Sequence, residues 1–375
     1  MSEAISGIVM PKWGLAMQEG MLAAWHVAEG ETVEKGQEIA DIETSKIANA
    51  FESPVGGTLR RRLVDVGDTV PVGALLAVVA DAAVADAAIE AFVSDFQAHF
   101  DAGETEVAAG PEPAFAEAGG KRIRYLRQGE GEGPPVLFIH GYGGDLNNWL
   151  FNQPALAERH TTYALDLPGH GGSTKEVGEG DVATMAQAVL DLMAAEGIGR
   201  AHLVGHSMGG AVALSLALDA PDKVASATLV CPAGLGAEIG MAYIDGFIAA
   251  SRGKKLEPVL QMLVANPDLV TREMIEDILK YKRLDGVDAA LKQMRAGMFP
   301  GGRQGLVLRE RLAAGTSVPI QVIWGRQDQV VPPAHGEGLP AAVKVSLLEG
   351  AGHLAHMEKA HEVNALIEEL VAAAR

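Results

Sequence analysis

Two domains of different class are predicted for this chain of 375 residues. Residues 1–80 read as a small all-β unit, a flattened barrel of two sheets. Residues 115–375 read as an α/β unit with a mostly parallel sheet and a helical lid inserted at about 235–315. Three observations predict this division. A ten-residue stretch beginning at Val27 returns 37 residues later, at Val64. From residue 115 onward, apolar strand-like runs alternate with helical periodicity. Residues 81–114 between them read as a helix followed by a flexible linker.

The repeat sets Gly30-Glu31-Thr32-Val33 against Gly67-Asp68-Thr69-Val70. Each copy is a series of short β-prone runs punctuated by glycine, the pattern of small strands and tight turns. Two half-units of about 40 residues bury together a core that neither could bury alone. Between the copies, strand-like 39–42 and 47–51 flank a polar hairpin tip, Glu43–Lys46, which places Lys46 in solvent. Next, Val84, Ala88, Phe92, Phe96 and Phe100 recur every four residues, one apolar helical stripe. Such a helix either docks a partner or covers the surface of the C-terminal unit. Residues 101–113 are polar and rich in Gly, Pro and Ala, as a mobile linker is. Strands are then expected at 136–139, 161–165, 201–204, 226–230, 320–324 and 344–348, with helices at 181–196 and 208–220. Alternation of this kind implies a parallel sheet covered on both faces. The lid should hold helices at 257–265, 272–280 and 287–298.

Composition excludes several classes. Lys and Arg number 30 against 49 Asp and Glu, leaving −19. That balance argues against nucleic-acid binding and against docking on anionic lipid. One cysteine, Cys231, excludes an internal disulfide framework and any multi-cysteine metal site. No signal peptide and no run of about 18 apolar residues is visible, so a cytoplasmic protein is expected.

Gly205-His206-Ser207-Met208-Gly209 follows an expected strand and opens an expected helix. A G-x-S-x-G sequence in that setting lifts a serine hydroxyl clear of the sheet on a tight, strained turn. Serine needs a base and a group to orient that base. Asp328, four residues past the strand ending at Trp324, and His353, in Gly350-Ala351-Gly352-His353, supply both in the order Ser, Asp, His. Each falls at the carboxyl end of a strand, where open α/β sheets place their sites. The backbone N–H groups of Tyr142, in His140-Gly141-Tyr142-Gly143-Gly144, and of Met208 are the candidate oxyanion hole. His140, His170 and His206 read as structural, and Cys231 as a small buried residue. His353 and His356 have no third candidate ligand nearby in sequence, so no metal is expected.

These motifs, with Asp166-Leu167-Pro168-Gly169-His170-Gly171-Gly172-Ser173, resemble the α/β-hydrolase superfamily over roughly 120–375. Residues 3–79 resemble lipoyl domains, the biotinyl/lipoyl-like fold. The likeness rests on Asp41-Ile42-Glu43-Thr44-Ser45-Lys46-Ile47, Met10-Pro11-Lys12-Trp13-Gly14, Phe51-Glu52-Ser53-Pro54 and the repeat itself. Biotin carriers usually set their lysine between two methionines, whereas Ser45 and Ile47 flank Lys46, which favours lipoate. The pair of domains together resembles the acetyltransferase components of bacterial acetoin dehydrogenase complexes. That resemblance implies lipoate on Lys46 and transfer of acetyl from S-acetyl-dihydrolipoyl-Lys46 to coenzyme A. It implies as partners a thiamine-diphosphate-dependent acetoin dehydrogenase and a dihydrolipoamide dehydrogenase, and is compatible with a homo-oligomer. The chain departs from acyltransferases of 2-oxo-acid dehydrogenase complexes. Their His-x-x-x-Asp-Gly signature is absent, since Met241 and Tyr281 precede Asp245-Gly246 and Asp285-Gly286. No basic subunit-binding module follows the lipoyl domain, because 81–113 contains no Lys or Arg. Two other readings remain open: a serine hydrolase of thioester, ester or C–C bonds recruited by its lipoyl domain, and a non-catalytic carrier.

Overall fold

The 37-residue repeat folds into two sheets of equivalent order. In the computed structural model, which describes residues 5–13, 17–43, 48–101 and 111–374, the chain divides into two units, 1–110 and 111–375. The first contains β1 (Ser6–Val9), β2 (Glu19–Trp25), β3 (Thr32–Val33), β4 (Glu38–Glu43), β5 (Ala48–Glu52), β6 (Gly57–Arg62), β7 (Thr69–Pro71) and β8 (Leu75–Ala80). Their orders are β1-β8-β6-β3 and β5-β4-β2-β7. A shift of 37 residues carries β2, β3 and β4 onto β6, β7 and β8, and with β1 matched to β5 one order becomes the other. Hydrogen bonds repeat as well. Gly30 N–H donates to Leu59 O at 2.7 Å, and Gly67 N–H to Leu22 O at 2.8 Å. Gly30 and Gly67 have φ of 89° and 96°, a region that disfavours any side chain, so each copy keeps its glycine. Ile8, Leu22, Ile39, Ile42, Leu59 and Leu76 are fully buried between the sheets.

Strands β4 and β5 pair antiparallel, with Glu43 opposite Ala48. Residues 44–47, including the expected lipoate-bearing Lys46, lie outside the described residues. The expected helix is α1 (Asp86–Asp101). It packs within the first unit. Val84 and Ile89 are buried with Leu75, Val78 and Ala80, and Ala88, Phe92 and Phe96 pack on them. The reason lies in β8, whose six residues are all buried. A strand without alternation has two apolar faces and needs cover on both. Arg60 fastens the helix start, donating to Val84 O at 2.8 Å and pairing with Asp86 at 2.6 Å. The helix therefore belongs to the first unit, and most of the expected linker, 102–110, lies outside the described residues.

The second unit opens with β9 (Ala114–Ala118) and β10 (Lys121–Gln128), an antiparallel hairpin that apolar-run reading missed because β9 is short and alanine-rich and charged residues interrupt β10. Then follow β11 (Val136–Ile139), α2 (Gln153–Ala157), β12 (Thr162–Leu165), α3 (Val182–Ala195), β13 (Ala201–His206), α4 (Met208–Asp219) and β14 (Val224–Val230). The lid supplies α5 (Met241–Ala249), α6 (Gly253–Leu260), α7 (Arg272–Lys282), α8 (Val287–Met298) and α9 (Arg309–Ala313). Then β15 (Ile320–Gly325), β16 (Lys344–Leu348), α10 (Ala355–Glu358) and α11 (Ala360–Ala373) complete the unit. Of the lid helices, α5 and α9 were not anticipated, and α6 starts four residues before the expected 257.

The eight strands run β16-β15-β14-β13-β11-β12-β10-β9. From β16 to β12 all pairings are parallel. Strand order reverses beside β11, with β12 on one side and β13 on the other. Such a switch point opens a crevice at the carboxyl ends of the strands. The 140–144 loop and the Ser207 turn both begin there. No helix among the described residues is long and apolar enough to cross a membrane.

Candidate active site

Ser207 sits between β13 and α4 with φ 53° and ψ −114°, a strained conformation for a residue with a side chain. Backbone crowding dictates its neighbours. A Cβ on Gly205 would collide with Gly209 O, and one on Gly209 with Ile139 O. A Cβ on Gly210 would stand 2.7 Å from Pro232 Cβ. The glycines of the motif are thus steric requirements of a turn wedged between β11 and β14.

The loop after β11 closes on this turn. A Cβ at Gly141 would lie 3.1 Å from Ser207 Cβ and 2.9 Å from His206 Nδ1, so only glycine brings Tyr142 this close. Neither the Tyr142 N–H nor the Met208 N–H donates to an acceptor among the described residues, although both residues are buried. Two orphan donors beside a serine are what a developing oxyanion requires. Three structural groups hold the loop. His140 Nδ1–H donates to Gly141 O at 2.7 Å, and its Nε2 accepts from Leu167 N–H at 3.0 Å. His170 Nε2 accepts from Gly143 N–H at 3.1 Å, and its Nδ1–H donates to Pro168 O. Asp166 accepts from Leu146 N–H at 2.8 Å and Gly172 N–H at 2.7 Å. Burial pushes both histidines below their ordinary value and raises the Asp166 carboxyl. The partners fix each imidazole in its Nδ1–H tautomer.

Asp328 and His353 meet from separate loops. His353 Nδ1–H donates to Asp328 Oδ2 at 2.8 Å. The carboxylate accepts three further bonds: Trp324 Nε1–H on Oδ2 at 3.0 Å, and Val330 and Val331 N–H on Oδ1 at 2.8 and 3.0 Å. Ser207, Asp328 and His353 are 7%, 8% and 2% exposed. The Ser207 turn reaches the His353 loop through its neighbour. His206 Nε2–H donates to His353 O at 2.8 Å, and the two rings lie 4.7 Å apart. Burial, and then His356, drive His206 well below its ordinary value. Glu358 pins the same loop, accepting from Gly352 N–H at 2.8 Å and from Ala265 N–H of the lid at 2.7 Å. Burial raises its carboxyl.

Sequence reading missed Trp324, Glu358 and the position of Cys231. Cys231, at φ 45°, brings Sγ within 4.8 Å of Asp328 and His353 ligand atoms. All three donors are already engaged: Sγ with Gly352 O at 3.6 Å, the carboxylate with four N–H groups, and His353 with Asp328. The thiol is raised well above its ordinary value by burial, so it offers no thiolate. Only the tryptophan four residues before Asp328 left a local signal.

The lid touches the site through Tyr142. Its hydroxyl donates to Leu291 O of α8 at 2.7 Å, and its ring packs edge-on against Phe247 and Phe299. An apolar cavity lies beside Met208, lined by Ala211, Ala233, Met298 and Phe299, with Gln304 as its polar member. A strained serine, a histidine anchored by a buried carboxylate, two orphan N–H groups and an apolar recess suit acyl transfer through a covalent serine ester.

Residues 134–360 match the alpha/beta hydrolase fold family, and residues 6–79 match the family described as biotin-requiring enzymes. A dihydrolipoyllysine-residue acetyltransferase component of an acetoin cleaving system from Cupriavidus necator is 48% identical, covering 98% of this chain and 97% of its own. One of the same description from Pseudomonas putida is 46% identical, covering 96% of each chain. Among solved structures, a meta-cleavage product hydrolase from Pseudomonas fluorescens superimposes with TM-score 0.63 at 24% identity, covering 70% of this chain and 98% of its own.

Proposed function

The chain belongs to the dihydrolipoyllysine-residue acetyltransferase components of acetoin cleaving systems and to the alpha/beta hydrolase fold family, and from that premise we propose that it passes acetyl from Lys46 of its lipoyl domain to coenzyme A through Ser207. The lipoyl domain is of the kind that carries lipoate covalently. The described residues fit that role. Glu43 pairs with Ala48, so the segment containing Lys46 joins the ends of two paired strands. The dihydrolipoyl arm supplies the thiol that presents acetyl as a thioester.

The chain's own residues then do the following. His353 Nε2 takes the Ser207 proton as Oγ attacks the acetyl carbonyl carbon. Tyr142 and Met208 N–H groups hold the oxyanion. The C–S bond breaks, and His353 returns the proton to the departing sulfur. The coenzyme A thiol gives its proton to His353 and attacks the serine ester. The C–O bond breaks, and the proton returns to Ser207. Acetyl has moved between two sulfurs, with no water consumed. Asp328 keeps the proton of His353 on Nδ1 throughout, leaving Nε2 free to serve as base.

The observation that carries this reading is the Asp328 carboxylate, saturated with four N–H donors and aligned on His353, whose loop is hydrogen-bonded to His206, the neighbour of the strained Ser207. A tethered arm raises the local concentration of donor at the site. A thiamine-diphosphate-dependent acetoin dehydrogenase and a dihydrolipoamide dehydrogenase are the partners that would load and reoxidise the arm. The test is a single-turnover assay on lipoylated, self-acetylated protein, separating acetyl-coenzyme A from acetate. Acetyl-coenzyme A formed by wild type and lost in Ser207→Ala supports serine-dependent transfer. Acetate formed at the same rate with or without coenzyme A means a tethered hydrolase. Turnover indifferent to Ser207→Ala means a carrier alone.

A further inference from the structure

Charge is distributed unevenly along this acidic chain. The lid, 235–315, holds twelve Lys and Arg against ten Asp and Glu, or +2, so the rest of the chain carries −21. Six of the twelve lid cations pair with carboxylates. Lys282 is occupied with the carbonyls that end α5, including Ala250 O at 2.6 Å. Arg309 donates to the carbonyls of His335 and Glu337. Four remain: Arg252, Lys254, Lys255 and Arg283. All are exposed, and no side chain of the four has a hydrogen bond or ion pair among the described residues. Three of them crowd the first turn of α6. Holding like charges together in one turn costs repulsion, which a dense anion would relieve.

We infer that Arg252, Lys254 and Lys255, at the start of α6, receive the phosphate groups of coenzyme A. This rests on the reading of coenzyme A as acceptor, and it names where the nucleotide end docks. Spacing supports it. Helix α6 runs from Gly253 to Leu260 and continues through a 3-10 turn to Leu263. Leu263 O accepts the N–H of Leu354, the residue after His353, at 2.9 Å. Counting α6 and the 3-10 turn, the cation-bearing residues stand roughly 13–18 Å from Leu263, which contacts the His353 loop. The pantetheine arm comprises about four peptide-length units and spans about 14 Å when extended. A phosphate held at the start of α6 leaves the thiol within reach of Ser207. A competing occupant is the acidic lipoyl domain, where 1–80 holds six cations and eleven anions. Its charge is spread over many strands and turns, whereas that of coenzyme A is concentrated, as the cluster is.

The test compares coenzyme A with pantetheine, which has the same thiol and no phosphate. Full-length protein carries Arg252→Gln with Lys255→Gln. Calorimetric binding and acetyl-transfer kinetics are measured with both acceptors. The expected result is a roughly tenfold rise in Kd and KM for coenzyme A, unchanged kcat, and unchanged KM for pantetheine. Added salt should shrink the wild-type preference for coenzyme A. Unchanged coenzyme A binding overturns the assignment, as does an equal loss for both acceptors. A higher KM for the acetylated lipoyl arm with coenzyme A unaffected gives the cluster to the lipoyl domain instead. If wild type binds coenzyme A through the cluster yet releases only acetate, the transfer reading fails and the docking site stands.

Discussion

Asp328→Asn replaces one oxygen of the site by an NH2 group and should nearly silence it. The native carboxylate accepts four donors, two on each oxygen. Asparagine offers a single acceptor oxygen, so its NH2 must face either Val330 and Val331 N–H or the Trp324 and His353 side chains. The backbone pair belongs to a packed loop, whereas an imidazole can change tautomer. The NH2 therefore turns toward His353, whose Nδ1 becomes an acceptor and whose Nε2 gains the proton. A histidine in that form cannot accept the Ser207 proton. Trp324 keeps a second acceptor, Val331 O at 3.1 Å, so the structural cost should be about 1–2 kcal/mol. The same tautomer error in a serine protease lowers kcat about 10,000-fold, roughly 5.5 kcal/mol of barrier. Single-turnover acetyl-coenzyme A formation should thus fall by about 1,000- to 10,000-fold, while thermal melting shifts by only a few degrees. A loss of less than tenfold in a protein that melts normally would refute the role given to Asp328.

Three further outcomes follow from the geometry. Gly209→Ala drives a methyl group into Ile139 O and should destabilise the C-terminal unit by about 3 kcal/mol or fail to fold; a melt within a degree of wild type would contradict the elbow packing. Tyr142→Phe keeps the backbone N–H but frees Leu291 O of α8, so the acetate share of single-turnover product should rise about fivefold with acetyl-coenzyme A still formed; an unchanged product ratio would show that this bond does not seal the lid. His140, His170, His206 and His356 are held below their ordinary value by burial, His356 at about 3. A depressed base means that the unfolded chain binds the extra protons, so this stability is full above pH 6.5 and is lost as pH falls toward 3. The slope can reach about 5 kcal/mol per pH unit, lessened by Asp166 and Glu358, whose raised values let the folded state take protons first. Urea unfolding at pH 7.5, 6.0 and 5.0 reads it, and a flat profile would mean that these imidazoles are not neutral and buried.

What the sequence made legible was whatever local sterics enforce. The glycines of each repeat recur because Gly30 and Gly67 need positive φ, and those flanking Ser207 because backbone atoms occupy their Cβ positions. Parallel strands such as Val136–Ile139 read cleanly because burial on both faces leaves an apolar run. The hairpin β9–β10 did not, because the edge strand β9 buries only alternate residues and charged residues interrupt β10. The destination of α1 was hidden for a related reason. Its stripe announces an apolar partner without naming it, and the partner is the outer face of β8. Around the site, Ser207, Asp328 and His353 were readable from motif and strand-end position. Of the residues missed, Trp324 lies four positions before Asp328, whereas Cys231 and the lid contact of Glu358 reach the site only in the folded chain.

In the proposed mechanism, transfer and hydrolysis differ only in which nucleophile meets the serine ester, so the chemistry proposed for Ser207, Asp328 and His353 does not by itself decide between them. The decision falls to what surrounds the ester. The residues lining the recess beside Met208 are apolar apart from Gln304 and offer a water few hydrogen bonds. The oxyanion loop is itself bound to the lid, through Tyr142 hydroxyl to α8 and through its ring to Phe247 and Phe299. An opened lid that admits bulk water therefore also loosens the loop carrying one oxyanion donor, and the ester becomes less reactive just when water arrives. On the proposed mechanism, the α8 contact that braces the Tyr142 loop thereby disfavours hydrolysis.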